Sequence, residues 1–114
     1  MSAITTHVLD IMRGMPASGV AVTLEIKKGI GNWERLGGGE TDADGRLRTL
    51  YPDEIPFAAA TYRLTFETGS YFDAQSVEGF YTEVSVVFVV RDTTRHYHVP
   101  LLLSPFGYST YRGS

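Results

Sequence analysis

From Val20 to Lys27 large apolar side chains alternate with small or polar ones: Val20, Val22, Leu24 and Ile26 against Ala21, Thr23, Glu25 and Lys27. A period of two places one set on each face of a half-buried strand. Tyr62, Leu64 and Phe66 alternate with Arg63, Thr65 and Glu67 in the same way, and Tyr97, Val99, Leu101 and Leu103 form an apolar face opposite His96, His98, Pro100 and Leu102. Val84 to Val90 begins in alternation and becomes continuously apolar, the pattern of a strand covered on its second face. Turn chemistry separates these runs at Gly14-Met15-Pro16, Gly29-Ile30-Gly31-Asn32, Gly37-Gly38-Gly39, Asp44-Gly45 and Tyr51-Pro52-Asp53. One stretch reads as a short helix: Tyr71 to Glu78, with Ser70 as its cap and Gly79 as its stop. Pro100 has no amide hydrogen to give a ladder, which predicts an edge strand or a bulge there. The pattern predicts an all-β chain with one short helix, folded as a two-sheet antiparallel β-sandwich.

At 114 residues the chain is expected to be a single domain spanning residues 1–114. A chain of this length can bury roughly two-thirds of its unfolded surface, so a core is possible without staples. Ten Lys and Arg against thirteen Asp and Glu leave a net charge of −3, the wrong sign for a nucleic-acid partner. The absence of cysteine excludes a thiol nucleophile, a disulfide and a thiolate metal site. The longest apolar run is too short to cross a bilayer and the first thirty residues lack a signal-peptide core, so the expected setting is soluble and cytoplasmic, without a membrane partner.

Three histidines carry most of the candidate chemistry. The spacing of His96 and His98 puts both rings on the side of their strand away from the core face. There they are either solvated or covered by another subunit, where burial would tune a pKa already close to neutrality. His7 groups by alternation with Leu9 and Ile11, and points either into a core or into a channel. His7, His96 and His98 could together hold a zinc ion with water as a fourth ligand. Glu40, Asp42 and Asp44 with Gly45 resemble the middle of a calcium loop, but Tyr51 stands where the bidentate Glu is required, so a tight turn presenting Arg46 is the better account. No Gly-x-Ser-x-Gly elbow or phosphate-cradling loop is present, which favours an activated water over an acyl-enzyme. The last residues offer a phenol at Tyr111, a guanidinium at Arg112, and at Ser114 a hydroxyl and the chain's own carboxylate.

Four stretches carry a family resemblance: Thr6-His7-Val8-Leu9-Asp10 with Gly14-Met15-Pro16-Ala17, Thr41-Asp42-Ala43-Asp44-Gly45-Arg46, the run His96-Tyr97-His98-Val99-Pro100-Leu101-Leu102-Leu103-Ser104-Pro105, and Tyr111-Arg112-Gly113-Ser114. Spread over nearly the whole chain, they resemble the 5-hydroxyisourate hydrolases, transthyretin-related enzymes of urate breakdown. The terminal Tyr-Arg-Gly-Ser separates these enzymes from the hormone carrier transthyretin. Ile11, Met12 and Met15 depart from the family's usual sequence, which bears on local packing alone.

The resemblance implies a transthyretin-like sandwich assembled as a homotetramer, with active sites in channels at the dimer–dimer interface. It implies hydrolysis of 5-hydroxyisourate to 2-oxo-4-hydroxy-4-carboxy-5-ureidoimidazoline without metal or other cofactor. The family's catalytic set maps onto His7, Arg46 and His98, with Tyr111, Arg112 and Ser114 joining His7 and Arg46 at the substrate and His96 as a neighbour. Either His7 or His98 would activate a water, with Arg46 stabilising the oxyanion. The competing expectations are a non-enzymatic carrier of a hydrophobic ligand, a zinc hydrolase and a plain structural module.

Overall fold

The computed structural model describes residues 2–114, in which nine strands and one short helix follow one another as β1 (Ile4–Asp10), β2 (Met15–Pro16), β3 (Ala21–Gly29), β4 (Asn32–Glu40), β5 (Arg46–Leu47), β6 (Ala60–Phe66), α1 (Thr68–Asp73), β7 (Val84–Val90), β8 (Tyr97–Ser104) and β9 (Gly107–Thr110). They form two sheets. One runs β2-β1-β8-β9, with β5 pairing beside β2 along the same edge of β1; the other runs β4-β3-β6-β7. The alternating runs are the cause. Ile4 and Val8 of β1, Leu24 of β3, Leu64 and Phe66 of β6 and Leu101 of β8 turn inward and are completely buried between the sheets. Thr6 shares the inward face of β1 and satisfies its hydroxyl by donating to the Val99 carbonyl at 2.6 Å. Among the described residues no helix is long and apolar enough to cross a membrane.

The sandwich has one pairing that the antiparallel expectation missed. β1 and β8 run parallel, in register from Ile4 beside Tyr97 to Asp10 beside Leu103. Parallel neighbours need a long crossover, and here the whole second sheet supplies it: the chain leaves β1, builds β3, β4, β6 and β7, and returns to enter β8 from the same end.

Four local expectations are also corrected. Gly37-Gly38-Gly39 is not a turn; it lies inside β4, opposite Leu24, Thr23 and Val22. The carbonyl of Leu50 sits where a Cβ on Gly37 would be, so the missing side chain lets the 48–51 segment close over the strand. The helix begins at Thr68, with no side-chain cap from Glu67, and not at a Ser70 cap. Burial of Tyr71 and Phe72 and the tie from the Glu67 amide to the Ala21 carbonyl set its position, and Ser76, at φ +58°, ends it before Gly79. Val87 and Val89 on β7 are exposed, not covered, because alternation with the inward Val84, Val86, Phe88 and Val90 turns them to the outer face of their sheet. Pro100, finally, sits in β8 between β1 and β9. The His98–Gly113 bridge keeps the register of Leu101 with Thr110, which sets Pro100 opposite Tyr111. The missing donor therefore faces β9, and the regular ladder stops there.

A tight turn at Asp44-Gly45 feeds β5 onto β1. Gly45 adopts φ +75°, its amide donates to the Asp42 carbonyl, and its own carbonyl accepts from Val8 at 2.7 Å. A Cβ at this position would press on the Val8 carbonyl and on Pro16. Gly45→Ala is expected to cost about 1–3 kcal/mol through enforced left-handed backbone and displacement of β5. The check is a urea unfolding midpoint lowered at unchanged slope.

Candidate active site

The outward face of the five-stranded sheet gathers the polar groups that the inward face excludes. On β1 this face carries Thr5 and His7, alternating with buried Ile4, Thr6 and Val8. Parallel pairing sets Thr5 beside His98 and His7 beside Pro100, while antiparallel pairing with β5 sets His7 opposite Arg46. His7 thus faces outward, which decides between the two orientations open from its spacing.

Arg46 is held by the turn before it. Oδ1 of Asp42 accepts from the amides of Asp44 at 2.9 Å and Arg46 at 3.0 Å. The Arg46 amide is the main reason that the Asp42 carboxyl titrates below the ordinary carboxylate value of 3.8, with burial opposing it and the Asp44 amide assisting. The Asp44 carbonyl accepts from Nε2 of His7 at 2.9 Å. A carbonyl only accepts, so that nitrogen carries a proton and Nδ1 is the one left for other work.

Thr5, Thr6, Arg46, Arg48, His96, His98 and Ser114 line a recess of about 190 Å³. Within it the Thr5 hydroxyl stands between two imidazoles, 3.0 Å from Nε2 of His96 and 2.8 Å from Nδ1 of His98. The two rings lie 6.5 Å apart and nearly parallel. Nε2 of His98 has no hydrogen-bond partner among the described residues. The His98 pKa is lowered from the ordinary 6.5, first by burial and then by the positive charge that His96, Arg46 and His7 can bring. The arrangement offers an unprotonated ring nitrogen at neutral pH in one recess with an arginine whose backbone is held by the turn, a pairing suited to base-assisted addition of water to a carbonyl.

The terminal residues divide between two hollows. Ser114 lines the histidine recess, whereas Tyr111 and Arg112 line an adjoining cleft of about 220 Å³ with Val86, Phe88 and Tyr97. Arg112 lies over the Tyr97 ring, 4.5 Å from its centroid, and His98 borders both hollows. The tail is anchored where the Gly113 amide donates to the His98 carbonyl at 2.8 Å. A Cβ on Gly113 would lie 2.7 Å from Cδ2 of His98, so only glycine lets the tail pass so close to the ring.

The structure therefore brings Arg46, His98 and Ser114 into one recess with His7 at its flank, and sets Tyr111 and Arg112 behind it. Thr5 and Arg48 were not legible as site residues, and His96, read as a neighbour, belongs to the recess itself. Alternation from His7 does put Thr5 on the same face, but its contact with His98 depends on a pairing 93 residues apart. Among the described residues no three metal-ligating side chains converge: His96 and His98 turn toward Thr5, and His7 toward Asp44.

Comparison with known proteins gives a consistent result. The 5-hydroxyisourate hydrolase of Salmonella typhimurium is 49% identical over 111 residues, covering 97% of this chain and 80% of that protein. The structure of Klebsiella pneumoniae 5-hydroxyisourate hydrolase superposes with a TM-score of 0.85 at 40% identity, covering 100% of this chain and 94% of that one. Sea bream transthyretin, solved in complex with thyroxine, superposes with a TM-score of 0.90 at 35% identity over 97% of this chain and 94% of its own. The family model described as HIUase/Transthyretin matches residues 4–113, and the chain belongs to that family.

Proposed function

We propose that this chain, as one transthyretin-like domain over residues 1–114, hydrolyses 5-hydroxyisourate to 2-oxo-4-hydroxy-4-carboxy-5-ureidoimidazoline. The observation that carries the reading is His98: its Nδ1 is engaged by Thr5, its Nε2 has no hydrogen-bond partner among the described residues, and Arg46 shares its recess. The substrate is planar, rich in carbonyl oxygen and weakly acidic, and a guanidinium suits it as a forked, permanently charged donor. Nε2 of His98 takes a proton from water as the oxygen adds to the ring amide carbonyl. Arg46 stabilises the oxyanion that forms, and the proton returns from His98 to the departing ring nitrogen as the carbon–nitrogen bond breaks. No ion or cofactor enters this sequence. His7 flanks the substrate with Nδ1, and Ser114 closes the recess. Tyr111 and Arg112 support that closure from the adjoining cleft.

The recess lies on the outward face of a sheet and is open on one side. That suits a homotetramer in which a second dimer covers it, with substrate bound at the dimer–dimer interface. A site for an apolar ligand, such as the thyroxine bound in the sea bream transthyretin complex, is served less well by a lining that includes His96, His98, Arg46, Arg48 and the Thr5 hydroxyl.

The first test is the ultraviolet decay of 5-hydroxyisourate generated in place by urate oxidase. Acceleration by the wild-type protein that survives chelation is expected; no acceleration from folded protein would sink the hydrolase reading. His98→Asn should lower kcat by about 10²–10⁴-fold, the usual worth of a general base, with an unchanged unfolding midpoint. The pH dependence of kcat/KM should show an acid limb below the ordinary histidine value of 6.5, because burial and then the facing groups His96, Arg46 and His7 oppose a charge on His98; Arg48 lines the same recess. Activity then holds as pH falls to that lowered pKa and is lost beneath it. Gly113→Ala should reduce kcat by moving either the His98 ring or the tail, again at little cost to unfolding, as the midpoint in urea would show.

A further inference from the structure

His96 and Thr5 have no part in that sequence, yet they form a chain of hydrogen bonds that ends on His98. The chain starts at the backbone: Nδ1 of His96 lies 3.0 Å from the Ser2 carbonyl. A carbonyl has no hydrogen to give, so Nδ1 of His96 is the donor, and in the neutral ring Nε2 becomes an acceptor. Among the described residues, the hydrogen offered to that acceptor is that of the Thr5 hydroxyl, at 3.0 Å. Once that hydrogen points at His96, the Thr5 oxygen can only accept on its other side, where it meets Nδ1 of His98 at 2.8 Å. Nδ1 of His98 therefore carries the proton, and Nε2 keeps its lone pair. Every link is oriented by the one before, back to a carbonyl whose direction cannot change.

We propose that Thr5 and His96 are positioning residues that hold His98 in its Nδ1–H tautomer, so that Nε2 is the proton acceptor. The inference rests on the reading of His98 as the general base. In free imidazole side chains the proton prefers Nε2, the tautomer in which that nitrogen could not serve as a base; the chain reverses this preference. A merely structural hydrogen bond would hold the ring in place but would be indifferent to which nitrogen bears the proton.

Thr5→Val keeps shape and β-branching and removes the hydroxyl, while Thr5→Ser restores it. Because Thr5 is buried and Val leaves two ring nitrogens facing a methyl group, His96→Leu provides a second route. His96 is exposed, so its replacement leaves the core intact. Nitrogen-15 spectra of the histidine rings above their titration range report the tautomer directly. The wild type and Thr5→Ser are expected to show His98 as Nδ1–H. Thr5→Val and His96→Leu should show a shift toward Nε2–H, with kcat reduced about 10–100-fold and KM little changed. Retention of the Nδ1–H tautomer in both Thr5→Val and His96→Leu would overturn the proposal. So would a tautomer shift that leaves kcat intact, because presentation of Nε2 would then not matter. If His98→Asn retains full turnover, it is the assignment of the base that fails, and the tautomer spectra still decide whether the relay exists.

Discussion

Seven residue pairs, from Ile4 beside Tyr97 to Asp10 beside Leu103, hold the first strand and the last long strand side by side and parallel. Nearly everything of functional interest depends on that register. It brings the Thr5 hydroxyl to His98, seats His7 beside Pro100, and leaves the other edge of β1 free to take β2 and β5, the second of which delivers Arg46. Because side chains alternate across a strand, a slip of one residue would exchange Thr5 and His7 for Ile4, Thr6 and Val8, burying imidazole and exposing the core. The inward packing that stabilises the sandwich is thus also what selects the outward chemistry.

The recess concentrates basic groups and lets burial choose among them. After burial itself, the charges of His96, Arg46 and His7 disfavour a positive charge on His98. In the proposed reaction, the cation that would stabilise the oxyanion would thus also help keep the ring neutral for proton abstraction. On the turn, Oδ1 of Asp42 is taken by the amides of Asp44 and Arg46. It orders the backbone that carries the guanidinium without neutralising the guanidinium itself.

Local alternation made the strands readable: the inward rows of β3, β6 and β8 are those the residue pattern implies, and His98 lies off the core face as spacing required. The errors share a cause. The triple glycine reads as a turn because its freedom is visible in sequence, whereas the approach of Leu50 that demands it is a tertiary contact. The helix shifts toward the N-terminus because two buried aromatic rings outweigh a serine cap. Pro100 is tolerated inside a sheet because its nitrogen faces the strand that breaks, a fact of register and not of composition. In the site, Arg46, His98 and Ser114 are legible from motifs, but the link through Thr5 needs a parallel pairing that no periodicity encodes.

That same proline separates two scales of stability. Tyr111 and Arg112 make no regular ladder with β8; among the described residues, the backbone of the last four returns to the sheet through the amide of Gly113, with Arg112 set over the Tyr97 ring. Opening of such a segment draws on few backbone bonds and little buried surface, so its free energy belongs to the low end of the local-unfolding spectrum, far beneath that of the strands. Amide exchange at Gly113 then proceeds by fraying while the interior of β1 and β8 exchanges only by global unfolding. Opening of that wall of the recess would draw on different bonds from those that hold the sandwich together.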